Sequence, residues 1–304
     1  RSLNDPISQR PIPESIFLTA PRPPNMTAPY ELIYYTGVPG RGEHIRLLLE
    51  EAGSTYQDTR TKTFEEARDE VAKWKDAGAP GNPKYFAPPL LKHGDLVISQ
   101  TPNILLYLGR RLGLSGAQED DAYRVNALAL TALDGLSNEA HDTHHPIATG
   151  LAYEEQREES RRMSQYWIAH RLPSHLEYWQ KVLEGEKVSP GPWLMGSPFT
   201  YADLVLFQCL DGTTYAFPKA MGQFKASGKS TFSFFFFFPS LYPYQVTPAE
   251  PIDSHTIGKY DKVFKLWEDV KARPNIAAYL ASDRRQKYQD WGIYRHYPEN
   301  DLIE

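Results

Sequence analysis

From Tyr30 to Gly53 the chain reads YELIYYTGVPGRGEHIRLLLEEAG, and its apolar positions change period halfway along. Residues 30–35 are a short aromatic, β-prone run, and Gly37, Pro39 and Gly40 supply turn chemistry. Beyond the turn, Ile45, Leu48, Leu49 and Ala52 fall at helical spacing. Glu43, His44, Arg46 and Glu50 occupy other faces, and Gly53 is placed as a C-terminal stop. The pattern predicts strand, tight turn, helix. It sets a phenol at a strand's end beside a helix N-terminus, a place where an anion can be held.

The same reading carries on down the chain. Residues 55–60 are β-tolerant, and 64–75 form a charged helical pattern that ends near Gly78. After a proline-rich loop, 89–92 and 96–99 pair as a hairpin around His93-Gly94-Asp95. Thr101 is predicted as an N-cap with Pro102 at the first helical position, leading into Ile104, Leu105, Tyr107 and Leu108. The order to this point is βαβαββα. From about Asp120 the pattern is wholly helical, with long periodic runs at 123–136 and 153–183. Thr200 and Asp203 fit a capping box at the start of an apolar, interior helix, and helices at 260–271 and 274–281 close the series. A tail rich in Tyr and Trp follows Asp283.

Composition narrows the possible functions. The 304 residues hold 33 basic against 38 acidic side chains, a net charge of -5, which argues against nucleic acid or an anionic membrane surface as partner. No apolar run approaches the roughly 18 residues of a membrane span. The single cysteine, Cys209, excludes an internal disulfide framework and suits a reducing, cytoplasmic compartment. Among Leu204, Val205, Leu206, Phe207 and Leu210 it reads as a small buried hydrophobe.

Two segments stand outside this rhythm. Residues 1–28 are rich in proline and lack an apolar stretch, so they are expected to be a disordered extension, with Met26 a natural start for the folded chain. Residues 227–257 contain STFSFFFFFPSLYPY and follow no period. They read as a translated intron, since a pyrimidine-rich tract encodes Phe, Ser, Leu and Pro; as real protein they would be an aggregation-prone or partner-contacting loop. The expected units are 29–113, 120–283 carrying that insert, and a tail at 284–304.

With YELIYYTGVPGRGEHIR, the APPLL…SQTPNILLYL block and WLMGSPFTYADLVLF in this order, the chain resembles the cytosolic glutathione S-transferases, most of all the sigma-like and fungal classes that use a tyrosine. The resemblance implies a thioredoxin-like α/β N-terminal domain followed by an all-α domain. It implies an enzyme that conjugates the glutathione thiolate to an electrophilic small molecule, with glutathione as co-substrate, no metal, and a homodimeric state. On the same fold, a glutathione-dependent isomerase or a non-catalytic ligand-binding or assembly module are the other readings.

Residue by residue, Tyr34 matches the family tyrosine whose hydroxyl donates to the glutathione sulfur, with Tyr35 as the neighbouring candidate. Arg41 matches the arginine that polarises or orients it. Pro89 matches a cis-proline that presents backbone to the cysteinyl part of glutathione, but Pro88 before it lacks the usual N–H. Gln100 and Thr101 match the pair that holds the γ-glutamyl carboxylate at a helix N-terminus. Trp74, Lys75 and Lys84 lie in the region that supplies a cation to the glycyl carboxylate. Asp134 matches an acid that reaches the γ-glutamyl amine across the dimer, and alone reads as a helix-surface acid.

The HDTHH stretch calls for separate weighing. His141 and His145 are four apart, so two imidazoles can share a helical face. No Glu lies between them as in HExxH and no third ligand is evident, so no metal is predicted. Asn138, His141, His144 and His145 are instead expected to line the second-substrate pocket or to cap a kinked helix before Pro146.

Overall fold

A computed structural model describes residues 28–78, 84–226 and 259–301. The insert expected at 227–257, and the extension at 1–28 apart from Ala28, lie outside these residues. The first unit runs β1 (Tyr30–Ile33), α1 (Glu43–Glu51), β2 (Tyr56–Asp58), α2 (Phe64–Ala77), β3 (Leu90–His93), β4 (Leu96–Ser99) and α3 (Thr101–Arg111). This is the βαβαββα order expected. The sheet order is β2-β1-β3-β4, with β1 parallel to β2 and antiparallel to β3. Ile33 faces Leu90 across the β1–β3 ladder, which sets the strand end before Tyr34 beside the Pro88–Pro89 peptide, and that peptide is cis.

Local chemistry explains the boundaries. Thr63 and Glu66 cap α2 reciprocally: the Glu66 N–H donates to Thr63 Oγ1 at 3.3 Å and the Thr63 N–H to Glu66 Oε2 at 2.9 Å. At α3 the expectation shifts by one residue. Thr101 is the first helical residue, and Gln100, with φ 71°, occupies the cap position. Proline at Pro102 fits the first turn either way, since its missing N–H has no partner there.

The helical unit consists of α4 (Glu119–Thr131), α5 (Asn138–Asp142), α6 (Arg157–Tyr166), α7 (Leu172–Glu184), α8 (Tyr201–Ala216), α9 (Pro218–Ala226), α10 (Asp261–Lys271) and α11 (Pro274–Leu280). Wider π turns at Ala132–Ser137 and Trp167–Arg171 join α4 to α5 and α6 to α7. They overlap the two long helical runs expected at 123–136 and 153–183 and mark local i→i+5 turns there. Helix α9 was not expected.

α8 is apolar around nearly its whole circumference, as a helix through the middle of a core must be. Its start is fixed by Asp203, whose fully buried carboxylate accepts from the N–H of Leu194 (2.8 Å), the N–H of Thr200 (2.8 Å) and the Thr200 hydroxyl (3.0 Å). Leu47, Leu48 and Leu49 of α1, Ile104 and Leu105 of α3, and Leu204, Leu206, Phe207 and Leu210 of α8 belong to one continuous hydrophobic cluster. The two units therefore share a core. None of the described helices is long and apolar enough to cross a membrane.

Candidate functional site

β1 ends at Ile33, and the rings of Tyr34 and Tyr35 just beyond it lie 5.5 Å apart, tilted by 58°. Tyr34 is buried under the turn that leads into α1. Tyr35 is half-buried and packs with Trp74 against the smaller cluster of Ile33, Val71 and Leu90. The phenol oxygen of Tyr34 accepts a hydrogen bond of 3.0 Å from the backbone N–H of Arg41. Burial pushes the phenol's pKa upward, and the Arg41 amide with the Arg41 and Arg46 charges offsets only part of it, so the group is a neutral O–H at physiological pH.

The turn is shaped around this ring. A Cβ on Gly40 would sit 2.3 Å from the Tyr34 hydroxyl oxygen, and one on Gly42 2.8 Å from its ring. Gly40 also has φ +51°, which side-chain-bearing residues rarely adopt. Sequence reasoning used these glycines only as turn signals. Their second role, leaving room for the phenol, is visible in sequence only as the Gly-Arg-Gly spacing.

Arg41 reaches the tyrosine through its backbone, while its guanidinium Nη2 donates across to Asn138 Oδ1 at 2.7 Å. Thr101, buried at the start of α3, donates to the Arg41 carbonyl at 3.5 Å. Tyr34, Arg41, Thr101 and Asn138 thus meet at one turn, and Gln100 stands exposed beside it. The Trp74 indole N–H is committed to Glu70 at 2.9 Å. Lys75, Lys84 and Asp134 are exposed, and no hydrogen bond or ion pair among the described residues ties them to the turn.

Beneath the turn lies a buried ionic network missed in the sequence. Arg46 donates to Asp58 at 2.7 Å, to the Pro39 carbonyl at 3.2 Å and to Glu43 at 3.3 Å. Glu43 also accepts from Tyr279 at 2.7 Å and pairs with Arg285 of the tail, which reaches on to Asp211 of α8 at 3.1 Å. Burial alone would raise the Glu43 pKa; Arg285 and Arg46 more than offset this and hold it below the usual carboxylate range. The tail further touches the turn through Gln286, which accepts from the Gly37 N–H at 2.8 Å, and Trp291, whose ring lies over Gly37.

The three histidines are not spread along one helical face. α5 stops at Asp142, and the chain folds so that one ring nitrogen of each of His141, His144 and His145 lies within 4.8 Å of the others. A third imidazole, not evident in the sequence, is therefore present. His141 is half-buried, whereas His144 and His145 are buried.

Comparison with known proteins adds two kinds of finding. Residues 30–110 match the family described as Glutathione S-transferase, N-terminal domain, and residues 141–236 and 222–283 match Glutathione S-transferase, C-terminal domain. Among relatives, Glutathione S-transferase P 10 of Caenorhabditis elegans is 26% identical over 255 residues, 84% of this chain and 92% of that one. Glutathione S-transferase Mu 2 of Rattus norvegicus is 27% identical over 190 residues, 62% of this chain and 79% of that one. The solved Pi-class glutathione S-transferase of Onchocerca volvulus superposes with a TM-score of 0.55 at 20% identity, covering 83% of this chain and 91% of its own. Rat hPGDS complexed with a quinoline gives 0.54 at 20% identity, covering 83% and 95%.

Proposed function

The chain belongs to the glutathione S-transferase family, and on that premise we propose that it forms the glutathione thiolate beside Tyr34 and conjugates it to an electrophilic small molecule. The observation that carries this reading is the Arg41 N–H on the phenol oxygen. With that acceptor position taken from the protein side, the hydroxyl hydrogen is left to donate outward, to a sulfur. Moving a thiol pKa down from about 8.5 by about two takes roughly 2.7 kcal/mol. A hydrogen bond to a charged group supplies about 1.5–3 kcal/mol, so one phenol nearly suffices, with the helix N-terminus adding to it. The thiol proton passes to solvent. The thiolate then forms the carbon–sulfur bond, by displacing a leaving group or adding to an activated double bond.

The remaining assignments follow the tripeptide. Gln100 and Thr101 hold the γ-glutamyl carboxylate at the N-terminus of α3, and the cis Pro88–Pro89 segment presents backbone to the cysteinyl part. Because Pro88 has no N–H, only the acceptor half of that pairing is available. The glycyl carboxylate falls to Lys75 or Lys84 beside Trp74. In a homodimer, Asp134, exposed on a largely buried π turn, reaches the γ-glutamyl amine bound to the partner subunit. Asn138 and half-buried His141 face the electrophile, whereas burial of His144 and His145 sets them behind that surface.

The finer placement in the sigma-like, tyrosine-using class is supported by Tyr34 followed by the Gly40-Arg41-Gly42 turn; the relatives' own names divide between P and Mu. A cytoplasmic location is supported by the lone, buried Cys209. The purified chain, given glutathione and a general aromatic electrophile, is expected to release the thioether at a rate that saturates in both substrates. Glutathione binding without turnover would instead identify a non-catalytic binding module.

A further inference from the structure

His141, His144 and His145 meet where the end of α5 lies against the C-terminal tail, with ring centroids 4.8–5.1 Å apart. His144 is 1% exposed and His145 9%. The His144 Nε2 is buried with no hydrogen-bond partner among the described residues, and the Gly292 carbonyl lies near the same ring. A buried imidazole nitrogen with no protein partner, facing two further imidazoles, is placed as a metal ligand is. The His145 Nδ1 accepts from Gln156 Nε2 at 3.2 Å, so its lone pair points out of the ring there and an ion must displace that amide to reach it.

From this arrangement we propose that His141, His144 and His145 form a three-nitrogen site for a transition-metal dication of the zinc class. An all-imidazole set selects zinc, copper or nickel over magnesium and calcium. Tetrahedral Zn–N bonds of about 2.0–2.1 Å put nitrogens about 3.3–3.4 Å apart, so the rings must close from their present spacing. His141, half-buried at the end of α5, has the room to swing. A fourth position is left for water or an exogenous ligand.

Arg295 and Arg41 also face the cluster, and their charge opposes a dication. Binding is therefore of moderate affinity. Because Arg41 belongs to the Tyr34 turn, an ion here adds positive charge directly beside the site already described.

The test uses the tag-free, chelator-stripped full chain, titrated with Zn²⁺ by calorimetry and with Co²⁺ by visible absorbance. Saturable binding of one ion per chain is expected, with the strong d–d bands of low-coordinate Co²⁺. His141→Ala and His144→Ala should each weaken it by about tenfold or more, with thermal melts recorded on both to separate lost ligands from lost fold. His141→Ala, at the half-buried position, is the variant expected to keep its melting temperature. Absence of saturable binding, or stoichiometric binding that survives in folded His141→Ala, overturns the site.

Discussion

The backbone N–H of Arg41 holds the hydroxyl of Tyr34 at 3.0 Å, while the guanidinium of the same residue turns away to Asn138. The tyrosine is thus aimed by the turn's main chain, and the arginine side chain ties that turn to the helical unit. Turn backbone is rigid where glycines fit against a ring. On the proposed mechanism, Gly40 and Gly42 therefore set the position of the Tyr34 ring without carrying any chemistry of their own.

Gly40→Ala puts a methyl 2.3 Å from the phenol oxygen at a φ that disfavours alanine, so the hydroxyl must move. A displacement of about 1 Å at a reacting group costs roughly a hundredfold in rate. A loss of that order in kcat/KM is expected. Gly42→Ala, with ordinary φ, should lose less, and almost nothing further when placed in a Tyr34→Phe background. Full additivity of the two changes would mean that Gly42 acts elsewhere.

His44 sits fully buried on α1, with both ring nitrogens unpartnered among the described residues. Burial first, then Arg41 and Arg285, hold its pKa down to about 3, against about 6.5 in an unfolded chain. Below about 6.5 the unfolded state takes a proton that the folded state refuses. The stability tied to His44 is therefore complete above that pH and is lost as pH falls toward about 3. Between about pH 7 and pH 5 the loss is about 2 kcal/mol. Urea unfolding at the two pH values should show it, and His44→Leu should flatten the slope by that amount; an unchanged slope would remove His44 as its source.

Asp203→Ala strips three hydrogen bonds from the buried start of α8 and leaves two backbone N–H groups without acceptors. The expected cost is about 3–5 kcal/mol of unfolding free energy. Turnover per folded molecule at low temperature should be unaffected. A loss under about 1 kcal/mol would show that water replaces the carboxylate there.

Cys209 lies within α8 at 0% exposure, and burial pushes its thiol up to about 12. It is inert as a nucleophile in the folded chain. An aromatic disulfide reagent should label one thiol per chain in denaturant and almost none under native conditions. Fast native labelling would mean that α8 opens locally.

What the sequence disclosed follows the range of each interaction. The βαβαββα order was legible because Gly37, Gly94 and the apolar periods are local signals. The start of α8 was legible because Thr200 and Asp203 satisfy each other within one turn. The cap of α3 was misplaced by one residue because the positive φ of Gln100 is imposed from outside its own sequence. Glu43 with Arg285, 242 residues apart, and the closing of three histidines at the end of α5 are products of tertiary folding. Periodicity along a chain cannot reveal which distant charges will share one buried node.

Tyr34 as thiolate donor is tested most directly by the pKa of glutathione bound to the enzyme, read from thiolate ultraviolet absorbance in the wild type, Tyr34→Phe and Tyr35→Phe. In the wild type and in Tyr35→Phe it should lie about two below the free thiol value of about 8.5. In Tyr34→Phe it should rise by about one to two, with kcat/KM near neutral pH falling about 10- to 100-fold and glutathione still bound. A bound-thiol pKa that stays low in Tyr34→Phe, or one that rises in Tyr35→Phe instead, would contradict the mechanism.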